Sequence, residues 1–495
     1  MTAAPPPMAE TSPLVSTVHG VVRGALEQGV AVFRGIPYAA APVGPRRFRA
    51  PEPPERWDGV REAVAFGPTA PKRPYSPPLD ELLPDPEVPG DDCLNLNVWT
   101  PSPARAGLPV IVWIHGGSLL HGSSAVELYD GAAFARDGVV LVSVNYRLGI
   151  EGFGVFPDAP ANRGLLDQLA ALEWVRQNIA AFGGDPRQVT VCGESAGAIS
   201  IGALLAAPRS QGLFRRAVLQ SGAPAALSPE ADRGTTELIA KRLGVAATAE
   251  ALAAVDPAGL LAAQTEVTGG GTPLTGGNSF QIVVDGDLLP HDPAEALREG
   301  AADGIDLLMG TNTEEYRLWF VPSGLTERLS RFTLRLALLK FKVPGATVRT
   351  YRANRPGATP GELLGALATD LLLRVPLNRL ADARSGSSGR TFLYEFGWRT
   401  PVRRLGACHA LEIGFVFDTL DRPDAMALTG ENAPQELADA MHAAWVRFAA
   451  TGDPGWPSWD ASRPVMVFGP GAPAVVHAPR NDELRGWTPY REERP

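Results

Sequence analysis

An α/β fold with one large, mostly parallel central sheet is the class that this sequence predicts. Two patterns carry the prediction. Residues 109–115 and 139–145 are near-continuous apolar runs, the mark of strands covered on both faces. From residue 164 to 220 strand-like runs alternate with helix-like ones, as in a wound sheet with helices packed on its faces. The 495 residues would allow two or three units of ~100–200 residues each, but no repeat and no clean linker divides them. One domain over residues 13–495 is therefore expected, preceded by a disordered Pro/Ala-rich tail at residues 1–12.

Along the chain, residues 17–24 and 30–37 alternate apolar with polar in the manner of an antiparallel hairpin. Proline-rich loops follow at 41–54 and 71–89, the second too irregular for a helix or strand. Residues 95–100 read as a strand ahead of the two buried runs. Residues 164–182 place Leu165, Leu166, Leu169, Leu172, Val175 and Ile179 at helical spacing, and Gly183-Gly184 ends that helix. A short strand at 189–192 leads into Gly-Glu-Ser-Ala-Gly, a small-residue helix at 196–206 and a buried strand at 217–220. Further strands are expected at 307–310 and 391–396, and helices at 326–342 and 435–450. The Gly-rich stretch 269–277 reads as a surface loop.

Composition narrows the function. The 53 Gly and 47 Pro make about a fifth of the chain, below the ~25–30% of low-complexity disorder. Lys+Arg number 45 against 54 Asp+Glu, a net charge of −9, so no basic footprint points to nucleic acid or to an anionic membrane, and neither is expected as a partner. No run reaches the ~18 apolar residues of a membrane span. The N-terminus lacks the charged and apolar regions of a secretory signal. Cys93, Cys192 and Cys408 are too few for a disulfide scaffold.

Gly193-Glu194-Ser195-Ala196-Gly197 fits a nucleophile elbow, a sharp strand-to-helix turn that exposes a serine hydroxyl at the end of a parallel strand. The string alone recurs by chance; a buried strand before it and a helix after it give it weight. His115-Gly116-Gly117 closes a strand upstream, where backbone N–H groups of Gly117, Ser118 and Ala196 can converge on an oxyanion. A serine needs an adjacent base, itself oriented by an acid, and on this fold the order is Ser, acid, His. Of the histidines after the elbow, His442 falls in a helix, His477 in a terminal strand-like run and His291 in a Pro-flanked turn. His409, in a loop after the strand at 391–396, is the best base. Glu314 and Glu315 both follow the strand at 307–310, and spacing does not choose between them.

The run from Phe182 through Gly197 resembles the serine signature of the type-B carboxylesterases, the family of the cholinesterases. Asp91-Asp92-Cys93-Leu94-Asn95-Leu96-Asn97-Val98-Trp99 resembles that family's second signature, with Asn95 where an aromatic is usual. Similar blocks are Phe33-Arg34-Gly35-Ile36-Pro37-Tyr38-Ala39, Asn145-Tyr146-Arg147-Leu148-Gly149, Gly164-Leu165-Leu166-Asp167-Gln168 and Phe448-Ala449-Ala450-Thr451-Gly452-Asp453-Pro454. Together they cover the chain from about Val18 to Trp459. The resemblance implies an α/β-hydrolase fold with small N-terminal antiparallel strands, helical insertions over the active site, and hydrolysis of small to medium neutral esters through an acyl-enzyme. Non-catalytic binding proteins share the fold, and amide or carbamate hydrolysis would use the same triad.

Carried over by motif, the resemblance puts the acid at Glu315, in a block where Tyr316 replaces a usual Gly, and the base at His409, in the block from Gly406 to Phe417. It implies supporting roles for Gly116, Glu194 and Ser221, the last hydrogen-bonding near Glu315. It implies buried ion pairs of Arg47 with Asp91 and of Arg147 with Asp167. Leu119, Phe320, Leu373 and Phe415 are candidate pocket walls. No metal and no organic cofactor is implied; the expected partner is a small-molecule ester, and the chain a monomer or weak homo-oligomer. Relatives from oxidising compartments pair the cysteine at the position of Cys93 with one where Ala70 stands here, so a free thiol and a cytoplasmic location are expected.

Overall fold

The computed structural model describes residues 12–269 and 277–487. The expected tail at 1–12 and the Gly-rich loop at 269–277 fall almost wholly outside these residues. The strands are β1 (Leu14–Ser16), β2 (Val21–Arg23), β3 (Ala25–Glu27), β4 (Val30–Pro37), β5 (Val60–Glu62), β6 (Asn95–Thr100), β7 (Leu108–Ile114), β8 (Val140–Val144), β9 (Gly184–Glu194), β10 (Arg216–Gln220), β11 (Asp306–Asn312), β12 (Thr391–Phe396), β13 (Pro464–Phe468) and β14 (Ala474–His477). Eleven of them form one sheet in the order β14-β13-β12-β11-β10-β9-β7-β8-β6-β4-β3. From β8 to β13 all neighbours run parallel, and antiparallel strands close both edges. The uninterrupted burial of β8, β10 and β12 follows from helices covering both faces.

The N-terminal hairpin is paired differently from the expectation. The chain turns within residues 17–20, where Thr17 N–H and Oγ1 donate to Gly20 O. The partner of β4 is consequently β3, while β2 pairs with β1 and β5 in a separate three-stranded sheet. The helix expected at 164–182 runs over Arg163–Asn178 and tightens into a 3₁₀ turn at Ile179–Phe182, closed by Gly183 at φ +90°. The one expected at 326–342 is two: Leu325–Arg328, and Arg331–Lys340 started afresh by Ser330, whose side chain accepts Thr333 N–H. The other elements stand where expected within a few residues.

Arg147 and Asp167 meet as anticipated, bidentate at 2.8 and 2.7 Å and fully buried. Arg47 does not meet Asp91. Its guanidinium reaches Glu151 at 2.8 Å and the carbonyl of Val255 at 2.7 Å, so it ties residues 44–47 to a helix end, whereas Asp91 lies exposed.

Candidate active site

Strand β9 ends at Glu194, and the helix Ala196–Ala206 starts one residue later. Ser195 alone makes the turn, at φ 55° and ψ −121°, a conformation costly for a side-chain-bearing residue. The flanking glycines are a steric requirement. A Cβ at Gly193 would stand 2.6 Å, and at Gly197 2.1 Å, from the carbonyl of Ile114 on neighbouring β7. Ser195 N–H donates to Gln220 O at 2.9 Å, which fixes the turn to β10. Its side chain is half-buried.

The loop after β7 runs beside this turn. A Cβ at Gly116 would lie 3.1 Å from Ser195 Cβ and 2.8 Å from Glu194 Oε2, so backbone must pass there bare. Gly117, Ser118 and Leu119 all adopt positive φ. Among the described residues the N–H groups of Gly117, Ser118 and Ala196 donate to no protein acceptor. Ala196 opens a helix, where N–H groups lack intrahelical partners. His115 braces the loop: burial holds its pKa down at about 4, so the ring is neutral and its Nδ1–H donates to Gly116 O at 2.8 Å.

His409 arrives from the segment after β12. Its Nδ1 lies 2.7 Å from Glu315 Oε2, and Glu315 Oε1 accepts Asn312 N–H at 2.7 Å. Glu314 turns the other way, to Arg399 at 2.8 Å, which separates two acids that spacing left equivalent. Tyr316 is right-handed helical at φ −57°, so its position needs no glycine; its ring lies against bare Gly365. His409 Nε2 stands 2.9 Å from Glu194 Oε1. Among the described residues no hydrogen bond joins Nε2 to Ser195 Oγ; such contacts are commonly loose in unliganded sites and tighten around substrate. Burial works against charge on the ring, yet Glu194 and Glu315 on its two nitrogens hold the His409 pKa well above the ordinary histidine value. Burial, with Glu315 nearby, raises the Glu194 pKa, while the facing His409 works against that rise.

Three groups here escaped the sequence. Glu412 is fully buried, with Oε1 accepting from Gln220 Nε2 at 3.1 Å and Oε2 from Asn312 Nδ2 at 2.6 Å. Burial, with Glu194 and Glu315 nearby, pushes its carboxyl up to about 8. Trp319 sets its ring 4.8 Å from that of His409. Asp85, from the proline-rich loop, reaches the oxyanion-side loop through Gly122 N–H at 3.0 Å. The available signal for Glu412 was its place three residues after His409 in the same motif block.

Other expectations fall elsewhere. Among the described residues Ser221 Oγ is buried without a hydrogen-bond partner, Glu315 included; the residue sits at φ 51° with its N–H donating to Gly310 O. Phe320 turns inward, edge-on to Tyr316, leaving the imidazole to Trp319. Phe415 packs between Phe396 and Trp398. Leu119 is buried in the oxyanion-side loop with its carbonyl accepting Gly149 N–H, and Leu373 lies half-buried in the wide turn Asp370–Arg374. His442 and His477 meet Val416 O and Ser462, away from the elbow.

A parallel sheet whose strand ends in so strained a serine turn places the chain among the α/β hydrolases. The family is narrower still. The sequence pattern that defines the carboxylesterase family matches residues 11–467, and this chain belongs to that family. It is 39% identical over 479 residues to the para-nitrobenzyl esterase of Bacillus subtilis, spanning 92% of this chain and 95% of that one. Phenmedipham hydrolase of Pseudarthrobacter oxydans is 36% identical over 485 residues, spanning 93% and 95%. Among solved structures, a carboxylesterase of Geobacillus stearothermophilus superposes with a TM-score of 0.86 at 38% identity, over 96% of this chain and 100% of that one. The chain is a carboxylic ester hydrolase, and the family's acyl-enzyme mechanism comes with it.

Proposed function

We propose that Ser195, His409 and Glu315 are the catalytic triad, and that the N–H groups of Gly117, Ser118 and Ala196 form the oxyanion hole. The observation that carries this reading is the 2.7 Å contact of His409 Nδ1 with Glu315 Oε2 beside the one strained residue at the end of β9. Ser195 Oγ attacks the ester carbonyl and His409 Nε2 takes its proton, so the tetrahedral oxyanion forms against the three N–H groups. His409 returns the proton to the leaving alcohol as the C–O bond breaks. Water then attacks the acyl-enzyme, giving its proton to the same nitrogen, and the acid leaves with Ser195 restored. Glu315 fixes the Nδ1–H tautomer and stabilises the imidazolium. Glu194 acts as an electrostatic support that must release its hold on Nε2 when Ser195 engages, while bare Gly116 lets the two loops approach.

The proposed substrates are small to medium neutral esters. Tyr75 is the sole aromatic of residues 71–89, and its ring is stacked on His121 at 4.0 Å rather than presenting a free face to a quaternary ammonium group. Trp319, beside the imidazole, offers an apolar wall. The buried, unpaired Cys93, Cys192 and Cys408 support a reducing, cytoplasmic setting. A panel of p-nitrophenyl esters graded by acyl length, with the matching anilides and a choline ester, tests the reading. Turnover is expected for neutral esters, with anilides far slower and no advantage for the choline ester; preferred turnover of either comparison substrate refutes it.

A further inference from the structure

We infer that Asp85 is a positioning residue for ester hydrolysis: from the proline-rich loop it locks the oxyanion loop in the conformation that presents its N–H groups. The inference rests on the oxyanion-hole reading above.

Residues 116–122 hold an unfavourable backbone. Gly117 (φ 112°), Ser118 (55°), Leu119 (61°) and Gly122 (90°) all lie at positive φ, and two of these carry side chains. Strain of this kind persists only where the surroundings over-determine it. Within the loop, Gly117 O accepts the N–H groups of Leu120 and His121 at 3.0 and 2.9 Å. The turn folds Gly122 so tightly onto its start that a Cβ there would stand 2.5 Å from Gly116 O. These local bonds reach only to His121, and none of them takes the N–H of Gly122.

Asp85 does. Its Oδ1 accepts Gly122 N–H at 3.0 Å, and its Oδ2 accepts His121 Nδ1–H at 3.1 Å, so one carboxylate grips two consecutive loop residues. The carboxylate is only 2% exposed and its charge is met by Lys72, itself 1% exposed, which also donates to Pro86 O at 2.7 Å. Burial opposes the ionised form, but His121 and Lys72 outweigh it and hold the Asp85 pKa below its ordinary value. Tyr75, from the same loop, stacks on the other side of His121. A buried ion pair is weak evidence for stability, and here its carboxylate aims a strained loop.

The test uses Lys72→Met/Asp85→Ala, which removes both charges and leaves no unpaired lysine, alongside Lys72→Met/Asp85→Asn, which keeps an acceptor for Gly122 N–H. The readouts are kcat, KM and inhibition by a trifluoromethyl ketone, which adds to a serine as a tetrahedral oxyanion. Because one oxyanion donor is worth about 10²–10³ in kcat, partial displacement of two predicts a fall of about 10–100-fold for the Ala variant. KM should change less than about threefold, ketone affinity should fall in step with kcat/KM, and the Asn variant should recover part of the loss. Unchanged kcat, a change confined to KM, or undiminished ketone affinity overturns the inference. If the unaltered enzyme binds the ketone but Ser195→Ala does not, the site reading stands whatever Asp85 does. If the ketone fails against the unaltered enzyme, both fall.

Discussion

Two buried charge centres lie at the carboxyl ends of the parallel strands, and they are built in opposite ways. In the first, Asp167 takes three hydrogen bonds from Arg147, two from the guanidinium and one from the backbone N–H at 3.0 Å, while the remaining guanidinium nitrogen donates to Arg49 O. Charge is matched one for one. In the second, Glu194 and Glu315 flank the single imidazole of His409 with a third buried acid, Glu412, close to both, and burial and mutual repulsion raise the Glu194 and Glu412 pKa values. A matched pair has nothing to move and serves as a brace. An unmatched cluster shifts the pKa values of its own members, the condition for a residue that takes up and returns a proton.

The sharpest break between the centres comes from removing one group in each. Ser195→Ala should cut kcat by about 10⁴-fold or more and leave the denaturation midpoint almost unmoved, since the half-buried hydroxyl carries no charge and leaves no buried charge unpaired. Retained turnover, or unfolding in place of inactivation, would erase the distinction. Arg147→Leu should do the reverse, losing about 3–5 kcal/mol by urea denaturation because buried Asp167 is left uncompensated, with kcat per folded molecule little changed.

Smaller effects separate the acids within the cluster. Glu194→Gln removes a carboxylate that holds the proton on His409, so the ring gives it up at lower pH. The acid limb of the kcat/KM profile should therefore move down in pH; an unmoved limb would mean that Glu194 does not act on the base. For Glu412 the sign runs through stability. Its carboxyl sits at about 8 folded against an ordinary value of 4.5, so between these pH values the folded state keeps a proton that the unfolded chain has lost. Stability from this group is thus present below pH 4.5 and fades as pH rises toward 8. Glu412→Gln should flatten that decline, gaining about 1–3 kcal/mol on the parent between pH 5 and 8. Parallel stability curves would contradict the assignment.

What the sequence carried and what it did not divide along the same physical line. Strand-to-helix turns are local: the glycines around Ser195, the apolar runs of β7 and β8 and the cap at Gly183 announce themselves within a few residues. The blocks around Glu315 and His409 were legible as family motifs, which singled out Glu315 where spacing left Glu314 equivalent, and the folded contact of His409 falls on the same acid. Contacts between distant segments left no such trace. Glu412 meets Gln220 across 192 positions, and Arg47 chose Glu151 across 104 over the nearer Asp91. Asp85 sat in a stretch whose prolines signalled only irregularity, and its grip on residues 121 and 122 emerges once the chain has folded. Phe320 and Trp319 were adjacent aromatics whose facing was set by one helical turn.

The central claim is that Ser195 carries the acyl group. Intact-mass analysis after reaction with a limiting organophosphate, followed by peptide mapping, tests it most directly. The account predicts one adduct per chain, on Ser195, formed in step with loss of esterase activity and absent from Ser195→Ala. An adduct on another residue, or a Ser195→Ala variant that still labels and turns over ester, would contradict it.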